Sequence, residues 1–222
     1  MHTVSLRFED SSRPLSDTLR QVRAGLAGEA VTLGELLRLI GEQGLLLFVM
    51  FLMTPFLLPV SIPGMSTVFS VVAILVGAGV VMNRIPWLPE RVMARSIARA
   101  SLMPALDRAI TLTTTLERFI RPRFPALTHG PSLNRLNGLM IIFGAVLLLM
   151  PFVMVPFSNT FPGVAILLLA AGMVQRDGLF VMLGYAMIAV TLIYFTALGY
   201  AVFMLGANLK DLAALKALLP TL

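Results

Sequence analysis

From Gly44 to Asn83 the chain carries no charged residue, and from Leu136 to Gln175 the same holds. A continuous helix over either 40-residue run would extend about 60 Å, roughly twice the hydrocarbon thickness of a bilayer. Each run must therefore turn back on itself. The turns are written in Pro55, Pro59, Ser61, Pro63, Gly64 and Ser66, and again in Pro151, Pro156, Ser158, Asn159, Pro162 and Gly163. Closely spaced prolines remove backbone donors and bar the preceding residues from the helical region. Two proline-broken hairpins result, and the arms of the first, about 15 and 17 residues, lie at or below the length needed to span. The breaks are then either ordinary turns of spanning hairpins or re-entrant segments ending at membrane depth.

The two runs also resemble each other. Val72 to Arg84 (VAILVGAGVVMNR) and Val164 to Arg176 (VAILLLAAGMVQR) match without a gap at six of 13 positions, which reads as an internal duplication. A third apolar run, Gly178 to Leu209, lacks proline and is long enough for one tilted span. The expected fold is an all-α integral membrane protein with amphipathic interfacial helices. Its parts are a cytoplasmic amphipathic segment (1–43), a first hairpin (44–83), a basic interfacial segment (84–135), a second hairpin (136–176), a transmembrane helix (177–209) and a tail (210–222).

Charge fixes the orientation. Between Arg84 and Arg135 nine Arg stand against Glu90, Asp107 and Glu117, an excess equal to the formal net charge of +6 of the whole chain. Short loops rich in Arg stay cytoplasmic, so this segment lies inside, as does the N-terminus, which has no apolar core of the signal-peptide kind. Nucleic acid is a poor partner for a basic stretch tied at both ends to apolar runs and lacking interleaved aromatics; anionic lipid is the better one. Arg91, Arg95 and Arg99 recur every four residues and are expected to form one stripe on a helix lying on the membrane, meeting lipid headgroups. Thr32 with Glu35 predicts a capping box opening a helix that leads into the first hairpin, and Leu15, Leu19, Val22 and Leu26 predict an earlier amphipathic helix. After Pro104 a further amphipathic stretch carries Leu106, Ile110, Thr113, Leu116 and Ile120.

The breaks are the candidate binding site. Ser66 is placed to cap the helix through Val72, and Asn159 or Thr160 to cap one with Pro162 in its first turn. Two helix N-termini with free amides would aim at one region, an anion site formed by Ser61, Pro63, Gly64, Ser66, Ser158, Asn159, Pro162 and Gly163. No Asp, Glu, Lys, Arg or His lies inside an apolar run, which disfavours a proton relay. Glu35, Glu42 and Asp177 border the runs and read as solvated anchors. With no Cys, and with His2 and His129 isolated, no metal site, cofactor site or catalytic set can be assembled, and an enzyme is not expected.

The strings TLGELLRLIGEQG, PFLLPVSIPGMS, RIPWLPERV, RPRFPALTHGP and PFSNTFPGVAILLLAAGMVQRDG together resemble the ExoD family of bacterial exopolysaccharide-synthesis proteins, over roughly Val31 to Leu205. The resemblance implies a multi-pass protein of the bacterial inner membrane, linked to exopolysaccharide production and in some members to alkaline tolerance. Paired proline-broken hairpins are also similar, by architecture alone, to the DedA superfamily, whose members are linked to moving polyprenyl-phosphate or phospholipid. The expected partners are membrane lipids, including polyprenyl-phosphate, other membrane proteins of polysaccharide synthesis, and a second copy of the chain. Binding or translocation of an anionic lipid, an assembly role without transport, and ion transport tied to alkaline tolerance are the open readings.

Overall fold

The protein is seen in a computed structural model that describes residues 15–25, 30–58, 64–84, 93–119, 123–124, 127–128, 130–150 and 155–218. Ser61, Pro63 and Arg91 lie outside the described residues.

Helix α1 (Leu15–Gly25) is followed by a short strand β1 (Ala30–Thr32) and by α2 (Leu33–Met53). The capping box is present: the Thr32 hydroxyl accepts from the Glu35 amide at 3.3 Å while the Glu35 carboxylate accepts from the Thr32 amide at 3.1 Å. Such a cap stabilises a helix start by about 1 kcal/mol. The helix does not run unbroken into the membrane as expected, because Gly41 (φ 64, ψ −157) interrupts it. Only glycine adopts that backbone without strain, so the amphipathic first half and the apolar second half change direction there.

A 3-10 turn (Thr54–Leu57) closes the first arm, and α3 (Met65–Met82) forms the second. Strand β2 (Ser96–Ala98) then pairs antiparallel with β1, Val31 opposite Ile97. This two-stranded ladder is an addition to the all-α expectation. Helix α4 (Arg99–Phe119) begins before Pro104 rather than after it. Helices α5 (Pro131–Leu149), α6 (Thr160–Gln175) and α7 (Gly178–Leu218) complete the chain. The last continues through Lys210 and Lys216, so the segment read as a tail is largely helix.

Among the described residues three helices are long and apolar enough to cross a bilayer: Met65–Met82, Pro131–Leu149 and Gly178–Leu205. The segments Gly41–Leu57 and Thr160–Gln175 are apolar but shorter. The second of these short segments is the one packed most deeply. Helix α6 is surrounded by α2, α5, α7 and the 3-10 turn, and more than half of its residues are buried, including Ala165, Ile166, Leu169 and Ala170. An apolar helix covered on all sides belongs to a protein core rather than to a lipid surface.

The hairpin arms do not pack chiefly on each other. Helix α2 packs mainly on α6 and α3 on α5, so each arm of one hairpin lies against the opposite arm of the other. The α3–α5 contact is close because Gly77 and Gly138 face each other. A Cβ on either would stand 3.1–3.2 Å from the other's carbonyl oxygen. Small residues at such crossings let backbones approach, which is how helices gain packing where lipid is as apolar as the side chains.

Both second arms end alike. Asn83 (φ 52) and Arg176 (φ 53) take the left-handed conformation, and the following amides of Arg84 and Asp177 bond back to Gly79 O at 2.9 Å and Gly172 O at 2.8 Å. These are Schellman ends. They pair Gly79 with Gly172, one residue out of step with the ungapped string match, which sets Gly79 against Ala171.

Outside the bundle, α1 and α4 run antiparallel. Leu19, Val22, Leu102 and Leu106 are buried in the same apolar cluster, and Ser16 donates from its amide and hydroxyl to Glu117 at 3.2 and 2.9 Å. The apolar faces expected to rest on lipid are thus spent in part on each other.

Candidate functional site

The second proline break is described from Val155. Phe157 stands at φ 63, and the buried Ser158 hydroxyl donates to Val155 O at 2.8 Å. That bond satisfies the turn's own backbone, the role small hydroxyl residues commonly take in turns. Asn159 precedes α6, but its side chain makes no capping bond; its carbonyl accepts from the Gly163 amide at 3.0 Å. Pro162 lies in the first turn as expected, where its missing N–H costs nothing. Helix α7 braces this break: the Tyr194 hydroxyl donates to Pro156 O at 2.6 Å, and Phe161 meets the Tyr194 ring edge-on at 5.1 Å and stacks on Phe157 at 5.7 Å.

The first break starts where Thr54 bonds back to Met50 O at 3.1 Å and Pro55 opens the 3-10 turn. Gly64 (φ 82) precedes α3, so the helix start depends on a left-handed residue without a capping side chain. Ser66 is therefore not the cap; it lies in the first turn, half-buried. Ser70, one turn further along the same face, is fully buried and its hydroxyl has no partner among the described residues. Sequence reasoning passed over Ser70, although its spacing of four from Ser66 was the available signal.

The two breaks touch. Phe56, only 2% exposed, lies against the buried Gly163: a Cβ there would stand 2.7 Å from the Phe56 Cβ. Phe56 also meets Phe69 of α3 edge-on at 5.8 Å. The first break thus sits on the start of α6, and the contact is aromatic. Gly64 does not share it, since the space where its side chain would be is open.

Arg95 and Arg99 are both exposed. They do not form a helical stripe, because β2 occupies 96–98 between them and Arg99 is the first residue of α4. Extended backbone in place of a helix removes the periodicity that the spacing of four implied.

Asp177 corrects another expectation. It is 1% exposed, not a solvated anchor. One oxygen accepts from the Leu179 amide at 2.9 Å at the start of α7, while the other is buried with no partner among the described residues. The Glu42 carboxylate accepts from the Asn134 amide group at 2.9 Å, joining α2 to α5. Asn137 is buried between the Tyr185 hydroxyl, which donates to it at 2.7 Å, and Leu127 O at 3.2 Å. Among the described residues no three His, Asp or Glu side chains gather to hold a metal ion.

A family profile described as "Exopolysaccharide synthesis, ExoD" matches residues 15–197. Protein ExoD of Rhizobium meliloti is 50% identical over 207 residues, covering 93% of this chain and 86% of that protein. An uncharacterized protein of Synechocystis, slr1875, is 26% identical over 177 residues, covering 76% and 82%. No solved structure matches the chain. The proline-broken apolar runs, the three helices long enough to cross a bilayer and the relatedness along nearly the full length agree: the chain belongs to the ExoD family of bacterial exopolysaccharide-synthesis membrane proteins.

Proposed function

We propose that this protein serves exopolysaccharide synthesis by binding an anionic lipid and moving it across the inner membrane, the polyprenyl-phosphate carrier being the substrate that polysaccharide assembly consumes. The observation that carries the reading is the meeting of the two proline breaks, through Phe56 and Gly163, at the ends of two segments too short to span a bilayer. Helix ends at membrane depth are tolerable only where protein or a water-filled cavity surrounds them. We read the short segments as re-entrant, and the crossed packing of α2 on α6 and α3 on α5 as that of two duplicated hairpins related by a two-fold axis. The half-buried Ser66 and the buried Ser70 supply a polar track beside the first break. Asn159, whose side chain makes no capping bond, supplies a polar group for a phosphate at the second. The basic segment and the N-terminus face the cytoplasm.

A second reading is assembly without transport, in which the protein holds other membrane proteins of the polysaccharide machinery. It is favoured by the Phe56 ring, which fills with carbon the place where a polar pocket would open, and by the apolar outer face of α7, where Ile193, Val202 and Phe203 are exposed.

Reconstituted vesicles separate the two. Asn159→Leu removes a polar side chain at similar bulk and is expected to abolish transfer of a fluorescent polyprenyl-phosphate while leaving the protein in the membrane. Ser66→Ala is expected to have a smaller effect of the same sign. Unchanged transfer in Asn159→Leu, or no transfer by the natural protein, refutes the transport reading and leaves assembly.

A further inference from the structure

The buried stripes of α1 and α4 dictate what lies beside them. With Leu19 and Val22 turned into the apolar cluster, Arg20 and Arg23 are carried to its edge; with Leu102 and Leu106 turned inward, Arg99 and Met103 reach the same edge from the other helix. Together with Ala24 they line a cleft of about 420 Å³. Pockets that hold small ligands span about 300–1,000 Å³.

Three guanidiniums facing one cleft repel unless an anion joins them. Two have acidic neighbours: Arg20 Nη1 lies 3.2 Å from Asp17 Oδ1, and Arg23 Nε lies 2.8 Å from Asp107 Oδ1. Each pair occupies one nitrogen of its fork, and all four side chains are about half exposed, so these pairs neutralise little. They orient the forks and leave the remaining donors for another acceptor. Arg99 has no ion pair among the described residues. It is held in place by the ladder, because Ala98 directly before it is paired with Ala30. As the first residue of α4 it also stands at a helix N-terminus, which adds a partial positive charge.

The geometry points to a phosphate-binding site in this cleft, taking a mono- or diphosphate group through the forks of Arg20, Arg23 and Arg99. Arginine rather than lysine suits planar, bidentate contact with phosphate oxygens. The site does not depend on the proline breaks. Where the phosphate belongs to a lipid, it rests on the lipid reading above and becomes the cytoplasmic loading point of that path; where it belongs to a soluble molecule, the cleft is a sensor separate from it.

The test uses the full chain in detergent and two probes. One is inorganic pyrophosphate, followed by calorimetry; the other is vesicles of neutral lipid with or without phosphatidic acid, followed by co-flotation. The variant Arg20→Gln/Arg23→Gln/Arg99→Gln is compared with Arg84→Gln/Arg108→Gln/Arg135→Gln, which removes the same charge from exposed positions that do not line the cleft. The cleft variant is expected to lose about 10-fold or more in affinity and the control less than about threefold, since one charge-assisted bond alone is worth about a factor of ten. Binding of both probes assigns the site to the phosphate group in general, and binding of phosphatidic acid vesicles alone assigns it to a lipid headgroup. Equal losses in the two triple variants, or no binding of either probe by the natural protein, overturn the proposal. Should the triple variant fail to fold, Arg99→Gln breaks no ion pair among the described residues and is expected to lose at least about threefold by itself; unchanged affinity there also overturns it. Asn159→Leu separates the two readings. It is expected to bind normally at the cleft while losing transfer, which leaves both standing, whereas a natural protein that binds there yet transfers no lipid leaves this site standing and removes the transport path.

Discussion

The crossing of α3 and α5 offers the sharpest test of the packing. Replacing Gly138 with Ala would put a methyl 2.9 Å from Val80 Cγ1, 3.0 Å from Val81 Cγ2 and 3.2 Å from Gly77 O. Both valines are β-branched residues in a helix and stiff at χ1, and the carbonyl belongs to the opposite backbone, so relief requires the helices to separate. Overpacking of this kind costs about 1–3 kcal/mol. Alanine is also a better helix former than glycine by about 1 kcal/mol, which partly offsets the clash. Gly199→Ala isolates the packing cost, since it carries the same propensity gain with nothing within 4 Å of the new methyl. Gly138→Ala is therefore expected to fall below Gly199→Ala by about 1–3 kcal/mol, or about 2–12 °C in melting temperature for a chain of this size. Gly77→Ala should behave alike, its methyl meeting Ile142 Cγ1 at 2.7 Å and Gly138 O at 3.1 Å. The double variant should cost less than the sum, because the helices separate once. The assay is the fraction of detergent-solubilised protein that remains monodisperse on size exclusion after heating. If Gly77→Ala and Gly138→Ala both survive heating as well as Gly199→Ala, the close crossing is wrong.

Because the chain has no cysteine, Ser101→Cys gives a single exposed thiol on α4; an impermeant reagent outside intact spheroplasts is expected to miss it and to label it after lysis, and labelling from outside reverses the orientation. Tyr194→Phe keeps the ring against Phe161 but removes the 2.6 Å bond to Pro156 O. It is expected to cost about 1 kcal/mol and to raise amide exchange over 155–159, and unaltered exchange there would show that α7 does not brace the break.

The parts legible in the sequence were those with a local cause. The charge-free runs, the proline breaks, the Thr32–Glu35 box and the buried Leu19 and Val22 each follow from spacing along one element. What was illegible depends on partners distant in the chain. In helices apolar all round, such as α6, no periodicity says which face meets which neighbour, so the crossed packing of the hairpins left no trace. A three-residue strand such as Ser96–Ala98 finds its partner at Ala30–Thr32 through a ladder no local pattern predicts, and it dissolved the arginine stripe. Arg20 and Arg23 were lost in a segment whose charges nearly cancel, because a near-zero sum hides where the charges sit. Asp177 read as a solvated anchor beside Arg176; only the fold of α6 back against α7 encloses it.

The crossed packing also sets an order on biosynthesis. The apolar half of α2 finds its main partner in α6, and α3 finds its own in α5, so the first hairpin reaches the membrane before the surfaces that will cover it exist. At about 5–20 residues per second, the roughly 100 residues separating α2 from α6 represent about 5–20 s of translation. During that interval the Phe56 ring has no Gly163 to rest on, and its apolar surface must be sheltered by the insertion machinery or by lipid-exposed intermediates that rearrange later. The ribosome therefore delivers half a structure that cannot close until the second half arrives.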